Sequence, residues 1–302
     1  MNRRNFLAST TLAALASSFP AKLFGALMED LTDEQLCKLK FDLAVSENLR
    51  SKPIADVIVG IGKSFIGTDY VAHSLESDGP EQLVINLHAL DCVTFYENCV
   101  TLARCIKLNT TTFDDYKTQL QFLRYRDGKM TDYASRLHYT TDYWHNAEQK
   151  GILKVVTKDI FGEKNVVQIQ RPINFMTTHR DTYRQIASDN AMFKKIKLME
   201  DEINKRTDYF LPKGNLHLFA DKVNSGDLIG ITTNITGMDI SHTGVAVRLE
   251  NGELHFMHAP NVGYKVQVTE APLHEYLAKY SKQTGIIVAR VNEPAKENRE
   301  KL

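Results

Sequence analysis

Residues 86–107, N-L-H-A-L-D-C-V-T-F-Y-E-N-C-V-T-L-A-R-C-I-K, constrain the fold of this chain more than any other stretch. Asp91 stands where a helix N-cap belongs, and Cys92, Tyr96, Cys99, Ala103 and Ile106 then recur at helical spacing. That pattern predicts a helix with one buried face. Cys92 falls at its first turn, where the positive end of the helix dipole lowers a thiol pKa toward the reactive thiolate. A cysteine on an amphipathic helix is also an ordinary small core residue. The stretch therefore offers a candidate nucleophile, and the rest of the chain must supply its partners.

With 302 residues the chain has room for one large domain or two small ones, and its 43% hydrophobic content is that of an ordinary globular protein. Lys plus Arg and Asp plus Glu both number 37, so the basic footprint of a nucleic-acid partner is missing. No repeat period or low-complexity tract interrupts the chain.

At the N-terminus, Arg3-Arg4 precedes Asn5-Phe6-Leu7 and the mildly apolar run A-S-T-T-L-A-A-L-A-S. Paired arginines before a short apolar stretch are the pattern of a twin-arginine export signal, here assigned to residues 1–26. The run is too short to span a bilayer, so no stable membrane insertion is expected once it is removed. A Sec signal or an uncleaved anchor are the alternatives. All three place the remainder outside the cytoplasm, in the periplasm. Residues 27–302 are then one domain, with an elaborated middle region over about 125–215.

The four cysteines are Cys37, Cys92, Cys99 and Cys105. Seven residues along a helix separate two of them by roughly 10 Å, too far to bridge. This is no disulfide framework, so an exported chain keeps an unpaired thiol at Cys92.

Along the chain, residues 32–49 open with a cap signal and read as a helix, and Pro53 opens a second that runs to Ser64. Gly67 and Thr68 break the pattern before an extended piece at Tyr70. Residues 111–125 form a further helix, and 131–150 run from loop into helix up to Gly151. Residues 152–170 alternate as a strand pair would, and 177–207 read as a polar helix with a solvated charged face. Beyond Pro212 come short strands at 227–232, 243–249, 253–258, 265–268 and 286–290, spaced by turn signals as in an antiparallel meander. Helices first and strands last is an α+β layout.

Period-two alternation puts His242, Gly244 and Ala246 on one strand face, where small residues leave room for a helix to approach. On the next strand Leu254, Phe256 and His258 share a face, and a buried histidine there needs a polar partner. His242 is within reach. Thiol, imidazole and a third polar group can thus meet in the logic of a nucleophile, its base and the group that orients the base. Cys92, His242, His255 and His258 are also zinc-ligand types, but His255 and His258 point to opposite faces of one strand, so no metal is assigned.

Taken in order, G-T-D-Y-V, D-C-V-T-F, S-H-T-G-V-A-V and H-F-M-H-A resemble the NlpC-type cell-wall cysteine peptidases, a papain-like group. With Y-A-S-R-L-H-Y and I-N-F-M-T-T-H, the resemblance narrows to their N-acetylmuramoyl-L-alanine amidase-like subfamily and covers about residues 32–290. It implies a papain-like fold, with the nucleophile at a helix N-terminus packed on a C-terminal antiparallel sheet. It further implies Cys92 as nucleophile, His242 as general base, His258 as the orienting third member and Tyr70 beside the nucleophile, without a cofactor. The approach to the cysteine, N-L-H-A-L-D, departs from the glycine-rich form usual in the wider group.

The implied substrate is a peptidoglycan fragment, cut between N-acetylmuramic acid (in its ordinary or anhydro form) and L-alanine. Relatives in the wider group cut between D-glutamate and diaminopimelate instead. Tyr70, Tyr133, Ser135, Arg136 and Ser241 are put forward as substrate contacts, with the middle-region aromatics suited to sugar stacking and Arg136 to a carboxylate. A non-catalytic cell-wall binding module and an acyl transferase on the same scaffold are the competing readings.

Overall fold

A computed structural model describes residues 31–170, 172–261 and 263–295. The export signal expected over residues 1–26 lies outside the described residues, and among those that are described no helix is long and apolar enough to cross a membrane. Helix α1 (Asp33–Ser46) begins at a capping box, in which Thr32 and Gln35 exchange side-chain to backbone hydrogen bonds of 2.8 and 3.2 Å. Helix α2 (Ile54–Lys63) follows Pro53. Two short parallel strands, β1 (Asp69–Tyr70) and β2 (Ala89–Leu90), then lead directly into helix α3 (Cys92–Leu108). The Asp91 carboxylate accepts from the N–H groups of Val93 and Thr94 at 3.0 and 2.7 Å, and Asn109, in the left-handed region, ends the helix.

The amphipathic reading of α3 is corrected here. Glu97, Asn98, Thr101 and Arg104, off the expected buried stripe, are 0–2% exposed. Helices α1, α2 and α4 (Phe113–Arg124) and the sheet surround α3, so it is a central helix. Its polar side chains must find partners inside the protein. Glu97 meets the Arg124 guanidinium at 2.6 Å and accepts from the Tyr143 hydroxyl of helix α5 (Thr140–Gln149) at 3.0 Å. Asn98 donates to the Thr94 carbonyl oxygen and accepts from the Tyr116 hydroxyl.

The larger sheet has eight antiparallel strands in the order β4-β5-β10-β6-β7-β8-β9, with β3 pairing on β10. These are β3 (Leu153–Val155), β4 (Val167–Gln168), β5 (Tyr209–Pro212), β6 (Leu228–Thr233), β7 (Ile240–Arg248), β8 (Leu254–His258), β9 (Gln267–Val268) and β10 (Gln283–Val291). The meander holds for β6 to β9, whereas β10 returns to the other side of β6. The strand pair expected over 152–170 does not form: a short helix, Thr157–Phe161, separates β3 from β4, and each pairs elsewhere. The polar helix expected over 177–207 is broken as well. Its regular part is helix α6 (Asn190–Ile203), and Glu200 on it is buried, accepting from the Tyr139 hydroxyl at 2.7 Å.

The two sheet faces carry separate cores. Leu228, Val245, Val247, Met257 and Ile287 pack with α1 to α4, while Ile229, Ala246, Phe256 and Val288 pack with helix α7 (Leu273–Ala278). The central helix therefore lies on the Thr243/Val245/Val247 face. This reverses the expectation that it would approach the small residues Gly244 and Ala246. A third apolar cluster, including Tyr133, Tyr139, Met176 and Ile196, holds the middle region together.

Replacing Arg124 by Met should leave Glu97 buried without its counter-charge and cost about 3–5 kcal/mol, and the Glu97→Met/Arg124→Met pair should cost clearly less. Equilibrium urea unfolding of the wild type, Arg124→Met, Glu97→Met and the double variant checks this; a double loss equal to the sum of the two single losses would mean the pair is not coupled.

Candidate active site

Cys92 lies half-buried at the start of α3 and faces a cleft of about 590 Å³ that Tyr70, Ser241, His242, His258 and Tyr276 also line. The Thr243 hydroxyl donates to the Cys92 carbonyl oxygen at 2.8 Å, which ties the first residue of the helix to β7 beside His242. The Asp91 carboxylate takes the N–H groups of Val93 and Thr94, while the Cys92 N–H, at the first turn of the helix, is turned toward its own thiol. That donor remains available to an oxygen placed next to the thiol.

His242 Nε2 and His258 Nδ1 are 2.6 Å apart, with the rings nearly perpendicular. The β7–β8 register explains this reach. Val245 stands opposite Met257, so continuing the ladder sets Gly244 opposite His258, and His242 one same-face step away on the diagonal. A Cβ on Gly244 would come 2.5 Å from the Met257 carbonyl oxygen and 2.8 Å from the Phe256 ring. Glycine here makes room for Phe256, whose ring lies 5.7 Å from that of His242 and 4.8 Å from that of His258. Tyr276 closes the other side of His258, ring centroids 5.3 Å apart.

Electrostatics correct one expectation. Burial, followed by the adjacent Asp91 carboxylate, pushes the Cys92 thiol up to about 11, and the opposing hydrogen bonds from Thr243 and the Cys92 N–H do not cancel this. The residue that caps the helix thus offsets the dipole that was expected to activate the thiol. Burial lowers His242 to about 4. His258 falls to about 2, through burial and then the neighbouring His242. At neutral pH the thiol and both imidazoles are uncharged. Burial and then Cys92 and Asp91 raise the Tyr70 hydroxyl above its ordinary value.

Of the residues put forward from the sequence, Cys92, His242, His258, Tyr70 and Ser241 share the cleft, and the Ser241 hydroxyl donates to the Ile231 carbonyl oxygen at 3.2 Å. Tyr133, Ser135 and Arg136 do not line it. Arg136 is 4% exposed and meets Glu76 at 2.6 Å and Glu81 at 3.5 Å, so its carboxylate partners are internal. Tyr133 packs beneath the Arg136 guanidinium, and the Ser135 hydroxyl donates to the Asp132 carbonyl oxygen at 2.6 Å. The middle-region rings Tyr139, Tyr143 and Trp144 are core, so of the two roles open to them, packing and sugar stacking, the structure gives them packing.

Tyr276, Tyr280, Lys279 and Lys282, which line the cleft, carried no signal in the sequence. They reach it only because α7 and the start of β10 fold over the end of the sheet. His255 points away, its Nδ1 donating to the Thr269 carbonyl oxygen at 2.8 Å, so Cys92, His242, His255 and His258 do not converge as zinc ligands. Among the described residues no group of three or more His, Cys, Asp or Glu side chains is placed to hold a metal ion.

Residues 60–286 match the family described as AmiA-like, N-acetylmuramoyl-L-alanine amidase-like. The fold is similar to the crystal structure of an N-acetylmuramoyl-L-alanine amidase from Bacteroides uniformis, with 34% identity, a TM-score of 0.74, and 79% of this chain and 99% of that one covered. A protein from Bacteroides fragilis described as a putative xylanase is 33% identical, with a TM-score of 0.70 over 76% of this chain and 98% of its own. A Legionella pneumophila protein at 23% identity and a TM-score of 0.60, covering 82% of this chain and 92% of its own, shares the fold. No curated protein matches the chain.

Two measurements test the electrostatics. Alkylation of native Cys92 by iodoacetamide, mapped by mass spectrometry, should be slow at pH 7 and accelerate only toward pH 11; rapid labelling at pH 6 would show a thiolate–imidazolium pair instead. Burial also lowers His138, to about 3, as it does His242 and His258. Below pH 6.5 the unfolded chain takes up protons that these folded-state imidazoles refuse. The stability present above pH 6.5 should therefore drain away as pH falls toward 4, by up to about 1.4 kcal/mol per pH unit for each histidine. Thermal melts across that range should show a falling Tm.

Proposed function

The chain belongs to the N-acetylmuramoyl-L-alanine amidase-like family, and on that premise we propose that it is a cysteine-dependent amidase of peptidoglycan fragments. The bond cut is that between the lactyl carboxyl of N-acetylmuramic acid and L-alanine. In this reading the arrangement is the papain-like, NlpC-type one, and the protein acts in the periplasm after export. The observation that carries the proposal is the convergence of Cys92, His242 and His258 on one cleft, with the two imidazoles in hydrogen-bond contact at 2.6 Å.

His242 Nε2 is engaged by His258, which leaves Nδ1 to take the thiol proton. For Nδ1 to act as a base, Nε2 must carry the proton and donate it to His258 Nδ1; His258 then holds its own proton on Nε2. The Cys92 sulfur, relieved of its proton, attacks the amide carbonyl. The Cys92 N–H and the Tyr70 hydroxyl are the donors for the oxyanion that forms. The imidazolium returns its proton to the leaving amine of L-alanine, giving the thioester. Water, deprotonated by His242, then releases the carboxylate and restores the thiol. Starting from a neutral pair, proton transfer accompanies attack, and charge appears only as the oxyanion develops.

A glycosidase reading, which the description of the Bacteroides fragilis relative invites, lacks its chemistry here. Glycoside hydrolysis ordinarily needs two flanking carboxylates. Among the described residues, the cleft lining includes no aspartate or glutamate.

Digestion of defined muropeptides, followed by mass spectrometry, should release free peptide beginning at L-alanine. Cys92→Ala should lower the rate by more than about 10⁴-fold, and His258→Ala by about 10²–10⁴-fold with binding retained. Release after D-glutamate instead would keep the mechanism and move the bond. Turnover that survives Cys92→Ala would sink the thiol mechanism.

A further inference from the structure

The cleft that holds Cys92 carries a charge that the thiol chemistry does not use. Lys279 and Lys282 line it, and among the described residues no aspartate or glutamate does. Both side chains are exposed, and among the described residues neither ammonium group has an ion-pair or hydrogen-bond partner. Lys213 differs: its ammonium group donates to the Tyr280 carbonyl oxygen at 2.8 Å and is used inside the protein. A chain with 37 basic and 37 acidic residues thus gathers two unpaired cations at one cleft. We propose that Lys279 and Lys282 bind a carboxylate of the leaving peptide, close to the scissile amide, and so select acidic peptides. The identity of that peptide rests on the proposed amidase reaction; the preference for an anion rests on the cleft.

A turn tied down at several points sets the two lysines. Helix α7 ends at Ala278, and the N–H groups of Lys279 and Tyr280 donate back to the Tyr276 and Leu277 carbonyl oxygens at 3.3 and 3.2 Å. Lys213 holds the Tyr280 carbonyl oxygen. The Lys282 carbonyl oxygen accepts from the Asn234 N–H and the Thr233 hydroxyl at 2.9 and 3.0 Å, which fastens the turn to the end of β6. Tyr276 packs on His258, and Lys279 follows Tyr276 by three residues, about one helical turn. The backbone is fixed, while each ammonium group stays on a flexible stem and meets a carboxylate as a point charge. A lysine after a helix C-terminus also complements the helix dipole, but that accounts for Lys279 alone. Lys282 lies past the helix, just before β10.

Charge decides which half of the substrate these lysines meet. The lactyl carboxyl is neutralised in the amide that is cut, and an N-acetylated sugar carries no other ionised group. The peptide keeps its carboxylates. When D-glutamate follows L-alanine and the chain continues through the glutamate side chain, the first free carboxylate is the α-carboxylate of that glutamate. It stands one residue from the scissile amide. Hydrogen bonds from ammonium groups to such a carboxylate are charge-assisted, and an amide in its place forfeits them.

Two muramyl tripeptides test this, identical except that the α-carboxylate of the second residue is free in one and amidated in the other. The wild-type protein should cleave the free acid about tenfold more efficiently, through a lower KM at unchanged kcat, and added salt should shrink the gap. Lys279→Gln/Lys282→Gln should bring the free acid down to the level of the amidated form, and Lys279→Arg/Lys282→Arg should keep the preference. Both positions are exposed, and matching thermal melts check that the variants fold. Calorimetry on Cys92→Ala proteins, with and without the lysine substitutions, should give the same order of affinity in the absence of turnover. Equal handling of the two tripeptides by the wild type, binding of neither, or a preference that survives the double glutamine variant overturns the site. Tighter binding of the free acid that disappears with the lysines, without cleavage of either tripeptide, supports the carboxylate site and sinks the amidase reading alone.

Discussion

Everything about the site depends on a helix buried on all sides. Once α1, α2, α4 and the sheet enclose α3, its polar side chains beyond the first turn are cut off from water; several are answered from other elements, while the Thr101 hydroxyl and two guanidinium nitrogens of Arg104 make no hydrogen bond among the described residues. Glu97 is answered by Arg124 and Tyr143, Asn98 by Tyr116, and the Cys92 carbonyl oxygen by Thr243. These bonds join α3 to α4, α5 and β7. They therefore fix where the helix starts, and the thiol is placed as a consequence of satisfying the helix. Loss of a partner is costly because the low-dielectric surroundings that strengthen each bond also penalise its absence.

The same burial sets the protonation states. A thiol raised to about 11 next to an imidazole lowered to about 4 is a pair at rest without charge. Separating charge there is unfavourable until something stabilises it; in the proposed reaction the Cys92 N–H and the Tyr70 hydroxyl would do so as the oxyanion develops. His258 meets His242 at 2.6 Å and, in the proposed role of orienting it, would bring no formal charge, unlike a carboxylate. His258 Nε2 is buried and makes no hydrogen bond among the described residues, enclosed by the Phe256 and Tyr276 rings. An unpaired polar atom of this kind is costly. It is tolerated where the strand register and the Gly244 gap leave the ring no other position.

Around the thiol the cleft is assembled from segments far apart in sequence. β1, the β6–β7 loop, α7 and the start of β10 each contribute, and the middle region brings Phe175 and His179 to an adjoining space. That middle region is anchored by its own apolar cluster and by Asp239, whose buried carboxylate accepts from the Thr141 N–H and hydroxyl just ahead of β7. Strand and insertion are thus coupled at the residue that leads toward His242.

The sequence alone determined what local patterns can encode. The capped start of α3 at Asp91, the strands β6 to β9, and the faces that group His242 with Gly244 and Ala246 and His258 with Leu254 and Phe256 follow from helical spacing, period-two alternation and turn chemistry, all of which act between near neighbours; that the two histidines meet is set by the β7–β8 register. The order of the motifs carried the family. Only the tertiary structure decided which sheet face the helix covers, because small residues at Gly244 and Ala246 suit a ring such as Phe256 as well as a helix. It also decided that Arg136 is an internal ion-pair partner and Tyr133 a core ring, since a side chain's partner across the fold leaves no trace in its own neighbourhood. The thiol's protonation state went the same way. Helix position suggested a lowered pKa, but desolvation and the Asp91 charge act over the folded environment, and there they outweigh the dipole.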